Sequence, residues 1–243
     1  MDGILYHYGI LLQEVDSWFT TCLHKHADLI ACRHGCSACC RGLFDITLLD
    51  ALYLRSGFEQ LPESVRSAVR LKAASRLAVL NTLWPAIGEH WLLNTIPESE
   101  WDDIMPEDDE TPCILLSNDG ACLVYDHRPM TCRLNGIPLI DSDGEELFDE
   151  WCTLNFVDQD PRGIMDLRYP FKELFSQELM LFREMTERVL GRVFNELDTL
   201  IPAAICMDVG MLIAHVKHDS QFQYSMAQSQ NQHDTDRLPQ ETV

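Results

Sequence analysis

Apolar positions Ile4, Tyr8, Leu11, Leu12, Val15, Trp18, Phe19, Cys22 and Leu23 recur at helical spacing and predict one amphipathic helix over about 4–30. A short helix is expected over Leu48–Arg55. A longer one begins near Pro62 and carries Val65, Val69, Leu77, Leu80, Leu83 and Trp84 inward until Pro85 ends or bends it. Farther on, Phe171, Phe175, Leu179, Phe182, Met185, Val189, Val193, Leu197 and Leu200 mark a long amphipathic helix stopped at Pro202.

Between these helices the pattern changes. The stretch from Pro97 to Glu110 holds eight acids, two prolines and little periodicity, which reads as an exposed acidic loop. Cys113–Leu116 and Ala121–Tyr125 read as two short strands around Ser117-Asn118-Asp119-Gly120, whose Asp-Gly pair supplies turn chemistry. A second hairpin is expected from Ile137–Ile140 through Asp141-Ser142-Asp143-Gly144 to Leu147-Phe148, then Trp151-Cys152. The result is an α+β fold, mainly helical, with long amphipathic helices packed around a small hairpin module. Residues 1–218 are expected to form a single domain, and 219–243, polar and without periodicity, a disordered tail.

Charge narrows the functional classes. Lys plus Arg number 18 against 39 acids, a net charge of −21, which repels nucleic-acid backbones and anionic membranes. The one basic run, Arg66, Arg70, Lys72 and Arg76, falls on a helix as a solvated face. An acidic surface of this kind suits a basic protein partner. No secretory leader or uninterrupted apolar span is legible, so a cytoplasmic protein is expected, where thiols stay reduced and stable disulfides are uncommon.

Ten cysteines then need another explanation. Cys32, Cys36, Cys39 and Cys40 form a Cys-x3-Cys-x2-Cys-Cys run flanked by Gly35 and Gly42. Spacings of two or three let successive thiolates point inward around one ion or cluster. The adjacent pair Cys39-Cys40 is expected to diverge and to serve different metal atoms or different sites, and it argues against a disulfide framework. Cys113, Cys122, Cys132 and Cys152 form a second, looser group, brought together by the hairpins. Cys132, after Pro129, should sit on the first turn of a short helix, where amides and dipole stabilise a thiolate. Arg133 either screens cluster charge or binds an anion, or else pairs with the acidic surface. Cys22 and Cys206 read as buried thiols rather than ligands.

Taken together, Cys36-Ser37-Ala38-Cys39-Cys40, Pro112-Cys113, Gly120-Ala121-Cys122-Leu123-Val124-Tyr125, Arg128-Pro129, Cys132-Arg133 and Cys152 resemble the YkgJ-like cysteine-cluster family of zinc- or iron-chelating domains. The resemblance spans about 32–152. It implies that Cys32, Cys36, Cys39, Cys40, Cys113, Cys122, Cys132 and Cys152 are the metal ligands, with Tyr125, Arg128 and Pro129 as framework; the variable gap before Cys36 makes Cys32 the least secure. The flagellin lysine methylase carries a similar cluster.

Other chemistry is thinner. His34 and His127 lie near the two groups and read mainly as solvated loop residues, as His24 and His26 read as dipole partners at a helix end. The acids at 141–146 fail the calcium-loop template at Leu139, and no phosphate loop, nucleophile elbow or His-Glu-x-x-His pair occurs. The expected cofactor is an iron–sulfur cluster, of the 4Fe–4S type, or zinc, held for electron transfer or cluster delivery. The alternatives are a cluster-dependent protein-modifying enzyme and a structural zinc protein.

Overall fold

The structure is a computed structural model and describes residues 1–33, 35–87, 91–106 and 108–218. The expected tail at 219–243 and His34 lie outside the described residues.

The first helix, α1 (Asp2–Lys25), buries Ile4, Tyr8, Leu11, Leu12, Val15, Trp18 and Cys22 along one stripe, as its spacing requires. It ends at His26, earlier than the apolar pattern suggests, with His24 and Lys25 in its last turn. Strand β1 (Asp45–Thr47) leads directly into α2 (Leu48–Phe58), which Thr47 caps by accepting the Asp50 N–H. Helix α3 (Glu63–Leu83) stops just before Pro85, and the three arginines of the basic run on it are paired locally. Arg66 and Arg70 pair with Glu59 and Glu63, and Arg76 with Asp109. Leu83, expected inside, is 59% exposed in the last turn of this helix.

The acidic stretch is not wholly loop. It contains the short helix α4 (Trp101–Ile104), pinned because Ile104 is buried in a small core with Leu77, Leu80, Leu93 and Leu200. The five-residue helix α5 (Met130–Leu134) begins after Pro129. Strands β2 (Leu139–Ile140) and β3 (Glu146–Phe148) then form the second expected hairpin, antiparallel and irregular in register. The first expected hairpin turns as predicted, with Ser117 N–H donating to Ala121 O and Gly120 at φ +82°, yet only one bridge, Leu116 with Cys122, continues it.

The last long helix differs most from its sequence pattern. Helix α6 (Phe171–Leu190) ends at Gly191, which takes the left-handed conformation that only glycine adopts cheaply. The apolar residues beyond it belong to a return segment and to β4 (Asp198–Leu200), which pairs antiparallel with β1. Pro202 opens rather than stops a helix, sitting in the first turn of α7 (Ile201–Cys206), where its missing N–H is no loss. Helix α8 (Val209–His218) closes the described chain. Both sheets are two-stranded, so the fold is mainly helical α+β, with α1, α2, α5 and α6 around the larger core. No described helix is long and apolar enough to cross a membrane.

Candidate metal centre

The two cysteine groups are joined by a short backbone pairing between segments about seventy residues apart. Cys113 N–H donates to Cys40 O at 2.9 Å, Gly42 N–H donates to Thr111 O at 2.9 Å, and Arg41 bridges Pro112. From there Leu116 and Cys122 bridge across the turn, and α5 delivers Cys132. A cavity of about 80 Å³ lies where these segments meet. Cys36, Cys39, Cys40, Cys113, Cys122 and Cys132 line it together with Leu54, Leu115 and Ile201. The segments around Cys36 and Cys122 therefore converge.

The remaining two cysteines of the predicted set are tied in by Asn155, a residue with no sequence signal. Its buried amide accepts the Ala31 N–H at 2.8 Å and donates to Gly136 O at 2.6 Å and to Cys32 Sγ at 3.2 Å. Cys152 N–H also donates to Gly136 O, and Asn155 N–H to Cys152 O. Gly136 sits at φ +113° with Cys32 Sγ 3.2 Å from where a Cβ would stand, so a side chain there would strain the backbone and press on the sulfur.

Burial favours the protonated thiol at Cys32, Cys113, Cys122 and Cys132. Burial pushes the Cys32, Cys122 and Cys132 thiols up and raises Cys113 to about 11. The dipole of a five-residue helix does not overcome this at Cys132, contrary to expectation, because the side chain is enclosed. The vicinal pair does not diverge either. Cys39 donates to Cys40, which raises Cys39 and lowers Cys40. A cation in the cavity would reverse the penalty, releasing protons and holding the sulfurs as thiolates.

The framework residues resolve one open choice. Arg133 is buried, pairs with Asp16, and donates to the carbonyls of Arg128 and Asp126, so it fixes the α5 approach. Arg128 faces the thiols: it lines the cavity, rests 3.7 Å over the Tyr125 ring, and draws Cys39, Cys122 and Cys132 downward. His127 stacks on Tyr53 and packs against Gly57. Cys22 is buried as expected, whereas Cys206 is exposed at the end of α7; all ten cysteines are free thiols. The acids at 141–145 are held by the Lys172 ammonium and backbone N–H.

A second, wider cleft of about 750 Å³ adjoins the cysteines, with Cys39 and Cys152 on its wall beside Phe44, Leu139, Trp151 and Phe175. Asp50 and Glu178 also line it. The Tyr8 hydroxyl donates to Asp50 at 2.7 Å and stands 3.1 Å from Glu178. One hydroxyl carries one proton, so the second contact forms when Glu178 brings its own. Burial and the Asp50 charge raise Glu178 to about 8, consistent with that assignment.

Among the described residues, no three His, Cys, Asp or Glu side chains stand close enough to grip a single ion between them. The family model of the CxxCxxCC domain, described as a putative zinc- or iron-chelating domain, matches residues 31–153. No curated protein and no solved structure matches the chain.

Proposed function

The chain belongs to this zinc- or iron-chelating CxxCxxCC family, and on that premise we propose that its eight clustered cysteines hold iron as an iron–sulfur cluster, of the four-iron type, for electron transfer or cluster delivery. The cavity lined by six cysteines from both groups carries this reading. Zinc takes thiolates at ~2.3 Å, which puts tetrahedral sulfurs about 3.8 Å apart. The thiols here surround a space of about 80 Å³, several times the ~10–15 Å³ a water needs, and among the described residues no three His, Cys, Asp or Glu side chains form a single-ion site. That volume suits an inorganic unit larger than one ion. Arg128 offsets part of its negative charge, and the surrounding Leu54, Leu115 and Ile201 limit solvent. The −21 charge favours docking of a basic redox or acceptor protein.

Anaerobic purification followed by a visible spectrum and assays of iron, zinc and acid-labile sulfide tests this. Broad brown absorption with sulfide is expected, bleached reversibly by dithionite. A colourless protein carrying zinc and no sulfide refutes it in favour of a structural zinc centre. One observation supports a second reading, a cluster-dependent protein-modifying enzyme: the 750 Å³ cleft reaches Cys39 and Cys152 and is large enough for a side chain or small substrate. Methyl transfer from adenosylmethionine to a protein lysine would select it.

A further inference from the structure

We infer that the wide cleft beside the cysteines is a binding site for an organic monocation, a primary ammonium carried on an apolar stem, with Asp50 and Glu178 receiving its charge. The inference goes beyond the metal-binding reading, because none of the charged groups it uses is a cysteine.

The cleft has the build of a ligand site. Its volume of about 750 Å³ falls within the ~300–1,000 Å³ of small-molecule pockets. Its walls are largely apolar, and four aromatic side chains, Phe44, Phe148, Trp151 and Phe175, stand around it. The charge on the lining has one sign. Asp50, Glu150 and Glu178 are there, and among the described residues no Lys, Arg or His is. Glu150 is exposed just past β3, whereas Asp50 is only 2% exposed.

The inner carboxyl pair is held in place but not neutralised. The Tyr8 hydroxyl and the Met130 N–H both donate to Asp50 Oδ1, at 2.7 and 2.9 Å, and the Thr47 hydroxyl stands by the same carboxyl. Glu178, on α6, meets the Tyr8 oxygen, whose proton is already committed to Asp50. Neither acid is in an ion pair among the described residues. The Arg133 charge reaches Asp50 from α5, but that guanidinium is occupied by Asp16 and by the Arg128 and Asp126 carbonyls. A buried charge is costly unless it is paired, and the open cleft lets a partner arrive from outside.

The same geometry selects the ligand. One hydroxyl proton serves one carboxylate, so Glu178 faces Tyr8 by carrying a proton of its own and the pair keeps a single negative charge. A monocation matches that charge. A divalent metal does not, and among the described residues no three His, Cys, Asp or Glu side chains gather to hold one. An ammonium has three N–H donors, enough for both carboxyls, while the aromatic walls attract the cation and cover its stem. Cys39 and Cys152 share the wall, so the occupant lies against the cysteine centre.

The test titrates the full-length protein, purified anaerobically, with phenethylammonium and with Nα-acetyl-lysine methylamide, against the neutral phenethyl alcohol, by isothermal titration calorimetry. An ammonium probe is expected to bind about tenfold or more tightly than the alcohol, and Asp50→Asn and Glu178→Gln are each expected to weaken it by about tenfold or more. Binding of the lysine mimic assigns the site to a protein side chain; binding of the arylamine alone assigns it to a free amine. No binding of either ammonium, or equal binding of the alcohol, overturns the inference on the unaltered chain, without recourse to variants. Unchanged affinity in both variants, with far-ultraviolet circular dichroism unchanged, overturns it as well. Metal assayed on the same samples keeps the two readings apart: a metal-free chain that binds the ammonium sinks only the cluster, and a metal-loaded chain that does not bind it sinks only this site.

Discussion

Gly57→Ala should destabilise the protein, although alanine is the better helix former. Gly57 lies in the last turn of α2, and a Cβ there would fall 2.3 Å from His127 Cγ and 2.6 Å from its Cβ and Nδ1. Ordinary contact begins near 3.4 Å, so the imidazole must retreat by roughly 1 Å. Overpacking of that kind costs about 1–3 kcal/mol, against a helix gain of at most ~1 kcal/mol near a terminus. The displaced ring also leaves its stack on Tyr53, whose hydroxyl donates to Asp126 O. The net loss is about 1–2 kcal/mol, or a fall in Tm of about 2–8 °C for a chain of this size. Differential scanning calorimetry of the wild type, Gly57→Ala, His127→Ala and the double variant measures it. The double variant should recover most of the loss, because the clash needs both partners. A more stable Gly57→Ala, or no recovery in the double variant, would refute the close seating of the 125–128 turn on α2.

Three further outcomes are expected. The neutral form of Glu178 is favoured in the folded chain, with its pKa near 8 against an unfolded value near 4.5, so its stabilising share is complete at acid pH and fades as pH rises from about 5 to 8. Urea midpoints of Glu178→Gln relative to wild type should therefore climb across that window, and a flat difference would contradict the buried carboxyl pair with Asp50. Gly136→Ala should cost about 1–3 kcal/mol from its strained φ and, by pushing Cys32, lower metal content while leaving helicity intact. Arg133→Met should cost about 2 kcal/mol, since it strands the Arg128 carbonyl, takes one of two donors from Asp126 O and removes one of the two cations paired with Asp16; denaturant titration decides.

The sequence made the helical frame and the two cysteine groups legible because both are written locally. The α1 stripe is read from spacing, and the cysteines announce themselves by chemistry. What it concealed depends on distance or context. Apolar Val193, Leu197 and Leu200 continued the α6 period by coincidence, so Gly191 was passed over as the stop and Pro202 taken for one. Asn155 carries no local pattern; its role exists only because Ala31, Cys32 and Gly136 surround it. Cys132 was judged from helix position, and enclosure outweighed the dipole. The link between Cys40 and Cys113 pairs segments that no periodicity connects.

That link makes the chain between residues 43 and 110 a closed excursion whose two ends are fastened together at the sulfur-bearing segments. The entropy of shutting such a span grows only with the logarithm of its length, about 0.6 kcal/mol for each doubling. Extra residues placed after Pro97, beyond the packed part of α3, would thus lengthen the detour without shifting where it starts and finishes. The protein can tolerate growth in this arm while the register of its two cysteine segments stays fixed.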